Sequence, residues 1–177
     1  MGVVETGRSG FTIFELIVVL AIISLLMAVG IPTYSRMVPD MRLKAAVRDI
    51  KSDMELAKLR AIRENTSVAF VCNTGGNRYS MFVDNGSGGG TADNWVQDGT
   101  EQLIRSVQMP EGVNMYDAGF SGGVPRCRFD GRGLPNGLGG HIYMKNTKNN
   151  YRGISLSLVG HVRIQESSNG GSWTDVD

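Results

Sequence analysis

Apolar residues are distributed unevenly along the chain, and a long apolar segment lies near its start. Nearly every residue from 11 to 31 is apolar, and Glu15 carries the only ionisable side chain within it. An ideal helix of this length measures about 31 Å, close to the thickness of the hydrocarbon core of a bilayer. The segment is therefore predicted to be a transmembrane helix. Pro32 follows it directly and is expected to kink or loosen a helix that continues through it.

An amphipathic pattern follows between residues 32 and 65. Apolar residues recur there at alternating intervals of four and three, with charged side chains at most positions between them: Leu43, Val47, Ile50, Met54, Ala57 and Ala61. This period predicts that the helix continues and that its apolar stripe covers a sheet. Leu56, Leu59 and Ile62 are expected to widen the stripe where the globular domain begins.

Residues 66–166 show the alternating pattern of β-strands, with glycine-rich turns between most of the apolar runs. The predicted strands are 67–73, 79–84, 102–108, 113–116, 126–130, 141–145, 153–159 and 161–165. The 24 glycines and the low aromatic content of 7% fit a β-rich domain with many turns. Residues 167–177 form a polar tail that contains Trp173 and is expected to be loosely held.

The position of Glu15 is costly for a charged side chain. A carboxylate in hydrocarbon is usually functional and usually has a partner, but no lysine or arginine occurs between residues 11 and 34. The counter-charge must then come from another chain or from a terminus made by proteolysis. Two simpler interpretations, a secretory signal peptide cleaved after Ala28-Val29-Gly30 and a plain single-span anchor, leave Glu15 without a role.

The boundary between the polar N-terminus and the apolar segment has a distinctive sequence, since residues 7–16 read Gly-Arg-Ser-Gly-Phe-Thr-Ile-Phe-Glu-Leu. This stretch resembles the processing site of type IV prepilins and type II secretion pseudopilins. The resemblance implies that residues 1–10 are a leader, which a prepilin peptidase removes between Gly10 and Phe11 before it methylates the new Phe11 amine. It also implies that the Glu15 carboxylate neutralises the Phe11 amine of a neighbouring subunit as a filament grows.

The globular domain extends the resemblance to one branch of this superfamily. After the helix and two strands come an acidic glycine-rich loop at 84–98, a strand at 101–105, a Phe-Asp-Gly-Arg-Gly stretch at 129–133 and two strands within 154–163. This order resembles the GspH-type minor pseudopilins and the FimT/FimU minor pilins. It implies an α+β, pilin-like fold in which a long N-terminal helix packs on an antiparallel β-sheet.

The same resemblance implies a structural protein and not an enzyme. It implies a minor pilin or pseudopilin that assembles into, or primes the tip of, a type II secretion pseudopilus or a type IV pilus. The implied partners are other pilin or pseudopilin subunits, the prepilin peptidase and an inner-membrane assembly platform. Before assembly such a protein is a single-pass protein of the bacterial inner membrane, with its globular domain in the periplasm. The sequence distinguishes neither the pseudopilus from the pilus nor a minor from a major subunit.

No residue pattern in the sequence indicates catalysis, a cofactor or a metal. His141 and His161 are the only histidines, and neither has sequence neighbours that define a catalytic triad or a ligand set. Asp84, Asp93 and Asp98 match no calcium-loop template. The glycine-rich segment around these aspartates is therefore interpreted as a flexible loop.

The alternative function is that of a DNA-binding minor pilin of a DNA-uptake, or competence, pilus. FimT-like pilins bind DNA through a C-terminal Gly-Arg-x-Arg motif, which this chain matches at Gly160 and Arg163 but with His161 in place of the first arginine. Further arginines are candidates for a phosphate-contacting patch: Arg126, Arg128, Arg132 and Arg152. The net charge of +1 gives the whole chain no general attraction for a polyanion.

Cys72 and Cys127 are the only cysteines, and each lies in a predicted strand. A domain outside the cytoplasm permits their oxidation, and a disulfide between them is predicted on that ground. In the chain-entropy account, closing this long loop stabilises the fold by about 4 kcal/mol. Two unpaired buried thiols are the alternative, because the sequence does not fix the distance between them.

Overall fold

The described part of the chain contains one long α-helix, nine strands and two short 3-10 helices at Ser87–Gly89 and Ser121–Gly123. The computed structural model describes residues 11–137 and 139–176, and the chain divides into two compact units, Met1–Val38 and Pro39–Asp177. The elements in chain order are helix α1 (Ile13–Glu64) and strands β1 (Val68–Asn73), β2 (Arg78–Val83), β3 (Leu103–Gln108), β4 (Val113–Phe120), β5 (Arg126–Phe129), β6 (Gly140–Asn146), β7 (Tyr151–Leu156), β8 (Val162–Ser167) and β9 (Thr174–Asp175).

Helix α1 continues through Pro32 without interruption. A proline has no backbone N–H, so the regular hydrogen-bond ladder loses one donor there. The hydroxyl of Thr33 donates to the carbonyl of Val29 at 3.0 Å, and the hydroxyl of Ser35 donates to the carbonyl of Pro32 at 3.0 Å. Both hydroxyls bond to a carbonyl about one turn back along the helix, as serine and threonine commonly do. A kink at Pro32 stays a prediction.

Two antiparallel sheets share one apolar core with the second half of α1. The strand order is β3-β2-β1-β5 in the first sheet and β4-β6-β7-β8-β9 in the second. Helix and sheets contribute to the core through Leu43, Val47, Ile50, Met54, Phe70, Tyr79, Met81, Met115, Phe129, Ile142, Met144 and Ile154, all of which are fully buried. The predicted α+β architecture is confirmed, with two sheets where the sequence analysis expected one.

The polar tail is held more firmly than the sequence analysis expected. Residues Thr174–Asp175 pair with β8 as a short edge strand. The ring of Trp173 stacks on that of Tyr143, with 3.9 Å between centroids and an interplanar angle of 6°. The expectation of a loosely held tail was wrong because its one large aromatic side chain finds an aromatic partner on the outer face of the second sheet.

Three apolar residues of α1 do not join the core. Leu56, Leu59 and Ile62 are 45%, 62% and 44% exposed, so the expectation that they widen the buried stripe was wrong. The reason is geometric, because Leu59 lies two residues from both Ala57 and Ala61 and therefore about 200° around the helix from each. Since Ala57 and Ala61 are buried, Leu59 faces away from the sheets.

A buried carboxylate on α1 connects the helix to the first sheet. Asp53, which is 2% exposed, accepts a hydrogen bond from the hydroxyl of Tyr79 on β2 at 2.5 Å. Its other oxygen lies 2.7 Å from Nη1 of Arg105 on β3. Burial and the hydrogen bond to Asp53 raise the pKa of Tyr79, so its hydroxyl stays protonated and remains a donor. The two contacts compensate the desolvation of a charge that would otherwise be costly to bury.

Removal of one partner of Asp53 should therefore lower the stability of the fold. We expect Arg105→Ala to lower the free energy of unfolding by about 2–3 kcal/mol, because Asp53 then keeps a buried charge with a single hydrogen bond. Arg132→Ala is the control, since the Arg132 side chain is 80% exposed and its pair with Asp130 is worth at most about 1 kcal/mol. Denaturant unfolding of the full chain in micelles measures both variants, and equal effects would contradict this role of Asp53.

Candidate functional site

The first part of α1 presents an apolar surface with no cover in the described part of the chain. Every residue from 11 to 31 is exposed, and Phe11 and Phe14 are the most prominent at 83% and 73%. By length and composition, α1 includes a stretch suited to crossing a membrane. A contiguous apolar surface of this kind marks a membrane or protein contact, because water is an unfavourable environment for it.

Glu15 takes part in the cap at the start of α1. The hydroxyl oxygen of Thr12 accepts a hydrogen bond from the backbone N–H of Glu15 at 3.2 Å. In return, Oε2 of Glu15 accepts hydrogen bonds from both the backbone N–H and the hydroxyl of Thr12, each at 3.2 Å. This reciprocal arrangement is a capping box, and an acidic group in the first turn also interacts favourably with the helix dipole.

The sequence analysis missed this local role of Glu15. The signal was present, because a threonine followed three residues later by a glutamate directly before an apolar run is the signature of a capping box. Phe11 immediately precedes Thr12, which places the start of the predicted mature chain next to the cap. Gly10, the other residue of the predicted cleavage site, lies outside the described residues.

The glycine-rich segment after β2 is folded around a buried carboxylate. Asp84 is fully buried and accepts hydrogen bonds from the backbone N–H groups of Asn94 and Trp95, at 3.2 and 3.1 Å. Nη1 of Arg128 lies 3.6 Å from the same carboxylate. Within the described residues, no group of histidine, cysteine or acidic side chains is arranged to hold a metal ion. Asp84 therefore organises the loop through its own protein contacts.

Trp95 connects this loop to the edge strand β5. The guanidinium carbons of Arg126 and Arg128 lie 5.1 and 4.6 Å from the centroid of the Trp95 ring. Cation–π contacts of this kind stabilise the loop against the outer face of the first sheet. The interpretation of the segment as a simple flexible loop overlooked Trp95, because its two partners are more than 30 residues away in the sequence.

Four of the five arginines of the DNA-binding alternative have carboxylate partners. The pairs are Arg128 with Asp93, Arg132 with Asp130, Arg152 with Glu166 and Arg163 with Asp175, with N–O distances of 3.2, 2.8, 2.8 and 2.9 Å. Gly160 has a φ of 74° in the tight turn before β8, which explains the glycine without reference to a ligand. These contacts add no support for DNA binding, and the alternative stays a prediction.

The histidines differ in their surroundings. Nε2 of His141 lies 3.1 Å from Oδ2 of Asp117, and its ring stacks on that of Tyr143 with 4.2 Å between centroids. The sequence analysis missed this carboxylate because β4 and β6 bring it close from 24 residues away. The backbone N–H of His161 donates to the hydroxyl of Ser157 at 3.0 Å.

The two cysteines lie on neighbouring strands as free, buried thiols. Phe70 of β1 is opposite Cys127 of β5, so Cys72 is two residues further along β1 and lies on the same face of the sheet. Burial raises the pKa of the Cys72 thiol to about 12 and also raises that of Cys127 well above its ordinary value. The disulfide stays a prediction.

An exposed apolar helix that continues into an α+β domain with two antiparallel sheets defines a pilin-like protein. Residues 46–160 match the family model for the type II transport protein GspH, and residues 6–31 match the prokaryotic N-terminal methylation motif. The chain therefore belongs to the GspH family. A search of curated proteins found no significant match.

Solved structures of minor pseudopilins and pilins have the same fold. A structure of the minor pseudopilin EpsH from the type II secretion system of Vibrio cholerae has a TM-score of 0.55 at 12% identity, covering 72% of this chain and 99% of that one. A crystal structure of EpsH has a TM-score of 0.56 at 11% identity, covering 76% and 99%. The type IV minor pilin FimU of Pseudomonas aeruginosa has a TM-score of 0.51 at 13% identity, covering 73% and 92%.

The state of the cysteines is open to a direct measurement. If the predicted disulfide forms in the cell, protein unfolded without reductant should take up no alkylating label, whereas reduced protein should take up two labels per chain. Folded, reduced protein should react slowly, because both thiols are buried and their raised pKa values suppress the thiolate. Mass spectrometry of the labelled chain counts the thiols, and two labels without reductant would contradict the disulfide.

Proposed function

We propose that this chain is a minor subunit that assembles into, or primes the tip of, a type II secretion pseudopilus or a type IV pilus. The observation that carries the proposal is the exposed apolar segment of α1, with one carboxylate in its first turn, in a chain of the GspH family. Membership of that family favours the secretion pseudopilus. In either filament the partners of this chain are the other pilin or pseudopilin subunits.

Residues 11–31 serve in this proposal first as a membrane anchor and then as part of the filament core. Full burial of one large apolar side chain is worth about 1.5–3 kcal/mol relative to water, so a helix with many of them requires a continuous cover. Lipid chains provide that cover before assembly, and the corresponding helices of neighbouring subunits provide it afterwards. The exchange costs little in hydrophobic free energy, because lipid chains and leucine side chains are similarly apolar.

Glu15 fixes the stagger between neighbouring helices. Its carboxylate is bound to Thr12 within the same helix, and these contacts hold it at the end of α1 where the mature chain begins. A carboxylate between packed apolar helices is costly unless an opposite charge lies beside it. Removal of the leader creates such a charge at the Phe11 amine. A neighbouring subunit is then held at the height where its Phe11 amine meets Glu15.

In this proposal, the leader is removed before the subunit is moved into the filament. A prepilin peptidase cleaves between Gly10 and Phe11 and methylates the Phe11 amine, while the residues from 39 onward lie in the periplasm. An inner-membrane platform, driven by a cytoplasmic motor, then moves the anchored subunit into the filament. The match of residues 6–31 to the N-terminal methylation motif supports the processing step.

Mutations can separate leader removal from incorporation into the filament. Gly10→Ala is expected to block leader removal, because the peptidase cuts after that glycine. Glu15→Ala is expected to be processed normally and to be recovered poorly in the filament fraction, because the counter-charge of Phe11 is missing. Intact mass and N-terminal peptide mass report processing, and immunoblots of sheared filaments report incorporation. Normal incorporation of both variants would contradict the proposal.

Glu15→Gln distinguishes the charge of Glu15 from its role in the helix cap. Glutamine keeps an oxygen that accepts hydrogen bonds from Thr12 but carries no charge. We expect this variant to retain the helix start and still to lose roughly ten-fold or more in incorporation, because the ion pair is absent. Incorporation at the wild-type level would show that assembly depends on the cap and not on the charge.

The exposed apolar residues near the end of α1 are expected to extend the assembly surface. Leu59→Asp should leave the fold intact, because Leu59 faces away from the core, and should lower incorporation if a neighbouring subunit covers this position. Ser52→Asp is the matched control, since Ser52 is exposed and lies seven residues earlier on nearly the same side of the helix. Equal incorporation of the two variants would argue against a contact at Leu59.

A further inference from the structure

The chain itself covers most of the open edges of its two sheets. At β5 the backbone N–H of Asn136 donates to the carbonyl of Arg128 at 2.8 Å, and the side-chain oxygen of Asn136 accepts from the N–H of Arg128 at 2.8 Å. At β4 the side-chain amide of Asn77 donates to the carbonyl of Val113 and accepts from the N–H of Met115, at 2.7 and 2.8 Å. The edge of β8 carries β9. Such contacts occupy backbone groups that would otherwise be free to pair with another chain.

Strand β3 is different, because one side of it stays open. It lies at the end of the first sheet and pairs only with β2. Within the described residues, no backbone or side-chain group bonds to the backbone on the other side of this strand. Four of its six residues are exposed: Leu103, Arg105, Ser106 and Gln108. The strand contains neither proline nor lysine, which often protect exposed edges, and the charged group of Arg105 is turned to Asp53 of α1.

Ser106 lies at the centre of this open edge. The backbone N–H of Met109 donates to the carbonyl of Asn77, where the pairing of β3 with β2 ends. In an antiparallel pair, successive residues direct their backbone groups to alternate sides. The register is regular from residue 105 to 108, so residues 109, 107 and 105 face β2. Ser106 and Gln108 therefore direct their N–H and C=O groups away from β2, to the open side.

This edge is able to pair with a copy of itself. A two-fold axis perpendicular to the sheet places two copies of β3 side by side and antiparallel. If the axis passes between the two Ser106 residues, each Ser106 N–H donates to the Ser106 carbonyl of the other copy. Arg105 then lies opposite Val107, so no like charges face each other directly. Asp53 of the same chain also neutralises each Arg105, with 2.7 Å between the two charged groups.

The apolar side chains along the edge also favour this pairing. Ile104 and Val107 are partly buried and pack against the core, whereas Leu103 is 46% exposed. A second strand beside β3 removes part of their remaining apolar surface from water. The area of one strand pair is smaller than that of a standard protein interface, so the association is expected to be weak.

We propose that β3 is a pairing edge for a second copy of this chain. The two four-stranded first sheets join through Ser106 of each copy into one continuous sheet. Backbone hydrogen bonds hold the pair, and the side chains of residues 103–108 set its register. A two-fold pair is closed and adds no third copy through the same edge. It is therefore distinct from the filament contacts proposed above.

A proline at the centre of the edge tests the pairing. Ser106→Pro removes the free N–H in both copies and leaves the hydrogen bonds to β2 in place, so the fold is expected to persist. Sedimentation velocity of the full chain in micelles, over about 1–200 µM protein, measures self-association in a range suited to a small interface. Ser106→Pro should raise the dimer dissociation constant about ten-fold or more, because two central hydrogen bonds are lost.

Ser106→Ala is the matched control for the proline variant. It keeps the backbone N–H and should associate like the wild type. Any association through residues 11–31 is common to both variants and cancels in their comparison. Near-ultraviolet circular dichroism checks that each variant is folded.

A cysteine at the same position tests the register. In Ser106→Cys the two facing side chains have Cβ atoms about 5 Å apart, so a short bismaleimide should join two chains into a product of doubled mass. Asn114→Cys is the control, since Asn114 is exposed on β4 of the second sheet and should give little of this product. Cys72 and Cys127 are buried and should contribute little to the reaction.

Three results would overturn the proposal. They are a wild-type chain that stays monomeric over this range, equal association of Ser106→Pro and Ser106→Ala, and equal cross-linking of the two cysteine variants. A monomeric wild-type chain would leave the open edge of β3 to a different protein. If Ser106→Pro does not fold, the cross-link of Ser106→Cys carries the test alone. Normal filament incorporation of Ser106→Pro would leave the proposed assembly function unaffected.

Discussion

The need to cover the apolar side chains of α1 along its whole length dominates this molecule. From residue 39 onward the cover belongs to the chain itself, because two sheets bury Leu43, Ile50 and Met54 on one side of the helix. From residue 11 to 31 the described chain provides no cover, so lipid or other subunits must. A single helix is therefore divided by its sequence into a part that completes a domain and a part that requires a partner.

The sequence predicts those features of the fold that depend on periodicity. The apolar run, the alternation of four and three along α1 and the approximate positions of eight strands all depend on which residues must face a core. Leu59 shows the limit of this approach, since an apolar residue near a buried stripe was assigned to the stripe although the helix angle turns it outward. The sequence pattern also did not predict the division of the strands into two sheets, because pairing partners such as β1 and β5 are more than 50 residues apart.

Whether the sequence predicts a polar contact depends on how far apart its two partners lie along the chain. The capping box of Thr12 and Glu15 spans three residues and has a known signature, so it was predictable and was overlooked. The pair of Asp53 and Arg105 joins residues 52 positions apart and depends on where β3 lies against α1. No pattern in a single sequence gives that position. The same holds for Trp95 between two arginines of β5.

The distribution of charge explains why one carboxylate carries so much of the proposed assembly chemistry. In the globular domain Asp53, Asp84 and Asp130 each lie beside an arginine of the same chain. Such pairs are satisfied internally and offer little net attraction to another subunit. Glu15 differs, because within the described residues its contacts are hydrogen bonds to Thr12 and include no cation. A carboxylate held at a helix end without a counter-charge is most stable where a neighbour brings one. In the proposed assembly, that requirement links leader removal to the packing of the helices.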